Sequence, residues 1–213
     1  PLYAPQSKED SDIFNRFVLA GYDLVQTWDG FVYHMTCRGS RFKDGALRNP
    51  AGQVFMKGRE SSEWLEQNLR STRNFIRKWG HMVNHDKMMY PIIPPKYDIG
   101  FVVQNCNLNL LRELEPWCSN IYVDCDYVDY IKDEQKNTAF DLSDRVKPYD
   151  NEKNNDIIVK FNAQMLNANN FQVIVNLSEM FTDSAEVGEM EYDIFHFDIN
   201  SLETYEKDLI IRE

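Results

Sequence analysis

The chain has 213 residues, enough for one large domain or two small ones, and its 43% hydrophobic and 13% aromatic content calls for a packed interior and excludes wholesale disorder. A formal net charge of −11 repels phosphate backbones, which argues against general nucleic-acid binding but leaves room for a local basic pocket that takes a diphosphate. No apolar run approaches the ~20 residues of a membrane span and no signal peptide opens the chain, so a soluble, cytoplasmic protein is expected.

The four cysteines, Cys37, Cys106, Cys118 and Cys125, form no CxxC pair, and the histidines lack the spacing of zinc partners. They read as reduced thiols of an intracellular protein. The chain opens on Pro1-Leu2-Tyr3-Ala4-Pro5, a loop-like start without an initiator Met, which suggests a fragment.

Glu9 to Gly21 reads as a helix, capped by Ser7, with Asp10 and Asp12 in the first turn and Gly21 as a stop. Ile13, Phe14, Phe17, Val18 and Leu19 fit one buried face. Short strands are expected at Leu24 to Thr27 and at Gly30 to His34. Cys37 to about Gly58 reads as a loop, with a basic content (Arg38, Arg41, Lys43, Arg48, Lys57) unusual for so acidic a protein. Glu60 to Trp79 is the strongest helix pattern, with Trp64, Leu65, Leu69, Phe75 and Ile76 near one face and Ser61 or Ser62 as cap.

Three prolines in Tyr90 to Lys96 mark a linker. Beyond it, strands are expected at Ile99 to Val103, Asn120 to Asp124, Thr138 to Leu142, Asp156 to Phe161 and Met190 to Ile199. Helices are expected at Leu108 to Leu114, Tyr127 to Gln135, Ala168 to Phe181 and Leu202 to Ile210, with a surface loop over Ser143 to Asn155. This alternation points to an α/β fold with a partly parallel sheet. The domain division it suggests is 1–90 and 91–213, the second part a smaller accessory α/β module.

The chemistry-bearing string is Lys8-Glu9-Asp10-Ser11-Asp12-Ile13-Phe14-Asn15-Arg16-Phe17, followed by Ala20-Gly21-Tyr22 and then Val32-Tyr33-His34. Carboxylates at a helix N-terminus are kept ionised, so one of them can serve as a general base. A His ending a strand can reach a cleft and bind a metal through one imidazole nitrogen.

This pattern, Glu-Asp-x-Asp-x-x-x-Arg, then Gly-Tyr, then an apolar strand ending in Tyr-His, resembles the inverting GT-A glycosyltransferases of glycosyltransferase family 2, over roughly residues 1 to 80. The resemblance implies the C-terminal portion of a GT-A domain, with Asp10 deprotonating the acceptor hydroxyl as it attacks the anomeric carbon. Glu9 would orient the acceptor. Asp12, Arg38 and Arg41 would stand on the substrate side, Asp12 also bracing the helix with Arg16 against the sheet. His34 would touch a divalent metal, Mn²⁺ or Mg²⁺, or the donor diphosphate, with Arg38, Gly39, Ser40 and Arg41 offsetting its charge. The implied partners are a nucleotide-sugar donor and a glycan or other hydroxyl acceptor.

The family's nucleotide-binding βα unit and its Asp-x-Asp motif precede the Glu-Asp motif, and no such segment precedes it here. Asp124-Cys125-Asp126 follows the apolar run Ile121-Tyr122-Val123 as a metal motif should, but in the wrong order. The expectation is therefore a glycosyltransferase fragment without its donor-binding half, inactive alone. The alternatives are a non-catalytic binding module derived from such an enzyme, and a metal-dependent hydrolase using the acidic cluster and His34. Arg70, Arg73, Arg77 and Lys78 read as a solvated helix face. His81 and His85 would flank a metal only on a helix, which Pro91 soon ends.

Overall fold

The computed structural model describes residues 2–4, 7–30, 41–48, 61–184 and 186–210. His34, Arg38 and Cys37, with nearly all of the strand expected over Gly30 to His34, lie outside the described residues. Helix α1 (Glu9–Leu19) forms as expected and ends before Gly21, whose φ is +81°. Its start differs. Ser7 and Lys8 are both left-handed, and no side chain caps the helix. The Ser7 hydroxyl instead donates to Asn68 Oδ1 at 2.8 Å. Leu24 to Thr27 forms no strand and runs irregular and mostly exposed.

Within the expected loop a hairpin stands out, β1 (Arg41–Lys43) against β2 (Ala46–Arg48), antiparallel with Arg41 opposite Arg48. Its turn is Asp44-Gly45, both at positive φ, the Asp-Gly signature of a two-residue hairpin turn. Helix α2 (Ser62–Trp79) follows. Ser61 caps it, accepting from Trp64 N at 3.2 Å, and Gly80 closes it in the left-handed conformation. Phe75, Ile76 and Trp79 are buried, whereas Leu65 and Leu69 on the first turns are exposed.

The remainder is an α/β assembly around one six-stranded mixed sheet. Its elements are β3 (Ile99–Gln104), α3 (Leu108–Leu114), β4 (Asn120–Val123), α4 (Val128–Glu134), α5 (Leu142–Arg145), β5 (Val146–Pro148), β6 (Ile157–Asn162), α6 (Phe171–Val175), α7 (Leu177–Ser184), β7 (Gly188–Tyr192) and β8 (Phe195–Ile199). The strand order is β5-β4-β3-β6-β8-β7, with β5, β4, β3 and β6 parallel and β8 antiparallel to both its neighbours. The chain winds outward from β3 to β5, then crosses back to place β6 on the other side of β3, so the strand order reverses at β3/β6.

Several expectations shift. The strand expected at Thr138 to Leu142 is a turn, because Asp141 caps the one-turn helix α5 by accepting from Ser143 N at 2.9 Å. Part of the expected loop over Ser143 to Asn155 is thus α5 and β5. The helix expected over Ala168 to Phe181 starts late, after an Asn167 side chain that accepts from the Asn169 and Asn170 backbones. It breaks at Asn176 into α6 and α7. Met190 to Ile199 is a hairpin turning at Asp193, which takes a positive φ, and the last expected helix is a short 3₁₀ turn at Glu206–Ile210.

One sheet face carries the main core, with Phe101, Val103, Ile121, Val159, Phe161 and Phe197 facing α3, α4 and α7. The other face is thinner. Val102, Tyr122 and Ile158 pack under Tyr149, and the Lys153 ammonium lies 5.5 Å from the centroids of both the Tyr122 and Tyr149 rings. Asn155 pins this cover, accepting from the Tyr122 hydroxyl at 3.1 Å and donating to Asp98 and Asn120. Gly100 makes room for it: a Cβ there would stand 2.8 Å from Asn155 Cγ.

Helix α2 is fastened to this assembly by buried charge. Arg77 donates from Nε to Glu115 at 2.8 Å and from Nη2 to Glu134 at 2.9 Å. Arg73 Nε also reaches Glu134, at 2.8 Å, Arg145 pairs with Glu115, and the Tyr130 hydroxyl donates to Glu115 at 3.0 Å. Lys78 pairs with Asp12, and Arg70 donates to the Ala4 carbonyl. The basic series on α2 is therefore not a solvated face. Each of the four cations is bound inside the chain. Ile76 enters the main core alongside.

Two outcomes follow. Gly100→Ala should force the Asn155 carboxamide aside and lower stability by about 1–3 kcal/mol, read by thermal or denaturant unfolding. Burial would raise the Glu115 pKa, but Arg145 and Arg77 pull it down to about 2, and Arg73 and Arg77 likewise hold Glu134 below its ordinary value against its burial. A carboxylate with a depressed native pKa stabilises the fold fully above its unfolded value near 4.5. Unfolding free energy should therefore fall as pH drops from about 4.5 toward about 2, and Glu115→Gln should flatten that slope while costing about 3–5 kcal/mol at neutral pH.

Candidate functional site

Helix α1 docks by its polar side. Asp12 and Asn15 are 7% and 4% exposed, whereas Ile13, Phe14 and Phe17, expected to be buried, are 43%, 47% and 41% exposed. The cause is the Asp12 carboxylate. Its Oδ1 accepts from Trp79 Nε1 at 2.8 Å and the Tyr3 hydroxyl at 3.0 Å, its Oδ2 accepts from Lys78 Nζ at 3.1 Å, and the Lys78 ammonium pairs with the carboxylate at 2.8 Å. Burial, then the charge of Asp12, pushes the Tyr3 phenol well above its ordinary value, so it stays a hydrogen donor. Asn74 and Ser71 of α2 bond the Leu2 and Tyr3 carbonyls, which straps the leading segment across the same helix.

The apolar side of α1 that this leaves free forms one wall of a groove of about 650 Å³. Asp10, Phe14 and Phe17 come from α1, Tyr22 to Gln26 from the irregular segment behind it, and Val83, Asn84, His85, Met89 and Pro91 from the chain beyond α2. Phe17 and Tyr22 meet edge to face with centroids 5.8 Å apart. The far wall is tied by its own turn. Asp86 Oδ1 accepts from Met88 N and Tyr90 N at 2.8 Å, and His85 bridges Pro91. Aromatic faces beside a few carboxylates, amides and an imidazole suit a small polyhydroxylated or aromatic molecule.

Of the residues singled out by sequence, the structure places Asp10 on this groove. Glu9 is exposed beside it on the same turn but is not on the lining. Asp12 holds the bracing role, not one on the groove, because three donors from α2 and the leading segment occupy its carboxylate. It braces α1 against α2 rather than against a sheet. Arg16 lies 4.0 Å from Asp12. Arg41 sits exposed on β1, away from the lining. His34 and Arg38 lie outside the described residues.

His81 and His85 are not paired. Gly80 ends α2 before either, His81 is buried against Phe75 and Trp79, and His85 lines the groove. Burial lowers the His81 pKa, and its Nδ1 sits 2.6 Å from the Met82 carbonyl. The Asp124-Cys125-Asp126 string is structural. Asp124 accepts from Asn105 N and Cys106 N at 2.6 and 3.0 Å, and Asp126 from Val128 N at 3.0 Å. Among the described residues no three His, Cys, Asp or Glu side chains gather as a metal-holding group, and no helix is long and apolar enough to cross a membrane. The groove residues Val83 and Asn84 carried no sequence signal, since they meet Asp10 only through the bend after Gly80.

Compared with known protein families, curated proteins and solved structures, the chain matches none.

The docking of α1 is open to a direct check. Asp12→Ala leaves the buried Trp79 indole and Lys78 ammonium without their acceptor, at a cost of about 1–3 kcal/mol for each unsatisfied group. Amide hydrogen exchange over residues 9–19 should speed up markedly, while β3 and β6 keep their protection.

Proposed function

We propose that the chain is the acceptor-side part of an inverting GT-A glycosyltransferase, with the groove beside α1 as the acceptor site and Asp10 as general base. The observation that carries this reading is the division of labour on one helical turn. Asp12 is turned inward and fully engaged, while Asp10 stands on the wall of an aromatic-lined groove. A base must reach the proton it takes while remaining fixed in place, and a rigidly docked helix end meets both demands.

In this reading an acceptor rests against Phe14, Phe17 and Tyr22, with one hydroxyl toward Asp10. The carboxylate takes that proton as the oxygen attacks the anomeric carbon from the face opposite the leaving diphosphate, which gives inversion. Glu9, next to Asp10, adds negative potential that keeps the acceptor hydroxyl oriented proton-first. A divalent metal on the donor side, with His34 as a ligand, would offset the charge of the leaving diphosphate. The nucleotide-sugar site, with the roles assigned to His34, Arg38 and Arg41, belongs to the donor side of the same proposal. A recognition module is the second reading, favoured by the largely apolar lining of the groove.

The test is an assay of the full-length protein with a panel of nucleotide sugars, Mn²⁺ and hydroxyl acceptors. Transfer should be observed, and Asp10→Asn should lower its kcat about 10²–10⁴-fold while acceptor binding, read by calorimetry, stays intact. Undiminished transfer by Asp10→Asn would place the base elsewhere. Acceptor binding without transfer from any donor would favour the recognition module.

A further inference from the structure

Strands β3 and β4 are parallel neighbours in register, with Val103 opposite Val123, so the residues that follow them leave the sheet side by side at its carboxyl edge. Cys106 follows β3 and Cys125 follows β4. The turn after β3 is held by Asp124 of the neighbouring chain segment, whose two carboxylate oxygens accept the successive Asn105 and Cys106 backbone N–H groups at 2.6 and 3.0 Å. Asn105 takes a left-handed φ of 54° to allow this. That clasp draws Cys106 over toward β4, beside the turn that carries Cys125, and both side chains pack against the main core. Both residues are partly exposed, whereas Cys118 is buried.

We propose that Cys106 and Cys125 form a reversible intrachain disulfide, a redox modification site that staples the β3–α3 turn to the β4–α4 turn. Two thiols on adjacent strand ends that backbone hydrogen bonds hold in register need little movement to bond. The oxidant is a small disulfide of the glutathione type. A thiolate of Cys125 attacks one of its sulfurs, forming a mixed disulfide and releasing one small thiolate. Cys106, deprotonated in turn, attacks the Cys125 sulfur and releases the second. Two protein thiols lose two electrons and two protons, and one small disulfide becomes two small thiols. Burial first pushes both thiols up, Cys106 to about 12, so each is largely protonated near neutral pH. This makes the pair slow to oxidise, so that a sustained oxidising poise is needed to close it.

The experiment incubates the full chain, natively folded, with glutathione disulfide near the ~8.5 pKa of a free thiol. Remaining thiols are then alkylated, and the digest is read by mass spectrometry. A linked peptide pair carrying Cys106 and Cys125, lighter by two hydrogens and cleaved by dithiothreitol, is expected, with Cys118 alkylated only after unfolding. The oxidised chain should also melt at a higher temperature than the reduced one, because the cross-link restricts the unfolded ensemble. Cys125→Ser should abolish the linked pair while leaving the reduced melting temperature near that of the parent chain. The proposal is overturned if native Cys106 and Cys125 are both recovered as free thiols, if each carries its own glutathione, or if the link runs between two chains.

Discussion

The Arg77 guanidinium is buried between two carboxylates, Glu115 and Glu134, that belong to a different part of the chain from its own helix. A charge so placed is tolerable only with its partners in position, because an unpaired buried guanidinium costs several kcal/mol. It therefore fixes the azimuth of α2 against the sheet more sharply than the apolar contacts of Ile76 alone would. Everything on the far side of α2 inherits that setting. Lys78 and Trp79, one and two residues on, present the donors that Asp12 accepts, and Asn74 and Ser71 hold the leading segment. Lys96 closes the arrangement by donating to the last α2 carbonyls, where the helix dipole favours a cation. The position of the groove is set, through α2, by an ion-pair network on the opposite side of that helix.

Polar docking of α1 departs from the usual economy of surface helices, which bury their apolar stripe. Three hydrogen bonds to one carboxylate, two from charged or indole donors largely shielded from water, are strong enough to orient an eleven-residue helix. The consequence is exposed aromatic surface beside a carboxylate at the helix start. Exposed apolar patches of this kind mark binding surfaces more often than accidents of packing. The inverted face of α1 breaks the local rule that a surface helix buries its apolar stripe, and the Asp12 hydrogen bonds are the compensating gain.

Where hydrophobic periodicity and end signals agreed, the sequence was a good guide. The α/β class, the helix at Leu108–Leu114 and the Ser61 cap all follow from patterns spanning a few residues. The errors have a common cause. Side chains of Asn, Asp and Ser that bond their own backbone cut longer patterns short, as at Asp141, Asn167 and Asn176, and a period count does not see them. The Asp44-Gly45 turn is legible in the sequence, because Asp-Gly favours the positive φ of a two-residue hairpin turn. The basic face of α2 and the exposed face of α1 were not legible. Both depend on partners 38 to 67 residues away, Glu115 for Arg77 and Asp12 for Trp79, and one sequence holds no record of such pairings.

The groove is unequally held, and this bears on what each wall can do. The α1 wall is locked through Asp12, and the wall over residues 83–91 through the Asp86 turn, the His85–Pro91 bridge and the bond from Ile92 N to the Asn84 carbonyl. The third flank, Tyr22 to Gln26, is exposed, belongs to no helix or strand and is joined across the opening by Gln26 Nε2 donating to the Met88 carbonyl at 3.2 Å. A proton acceptor gains from rigidity, since misplacement by about 1 Å can cost some 10²-fold in rate. A surface that must admit acceptors of differing shape gains from compliance. Asp10 stands on a locked wall and Tyr22 on the lightly held one, so under the proposed function chemistry and selectivity would fall on separate parts of the chain. Substitutions at Tyr22 or Val25 would then change which molecule is held without moving the Asp10 carboxylate.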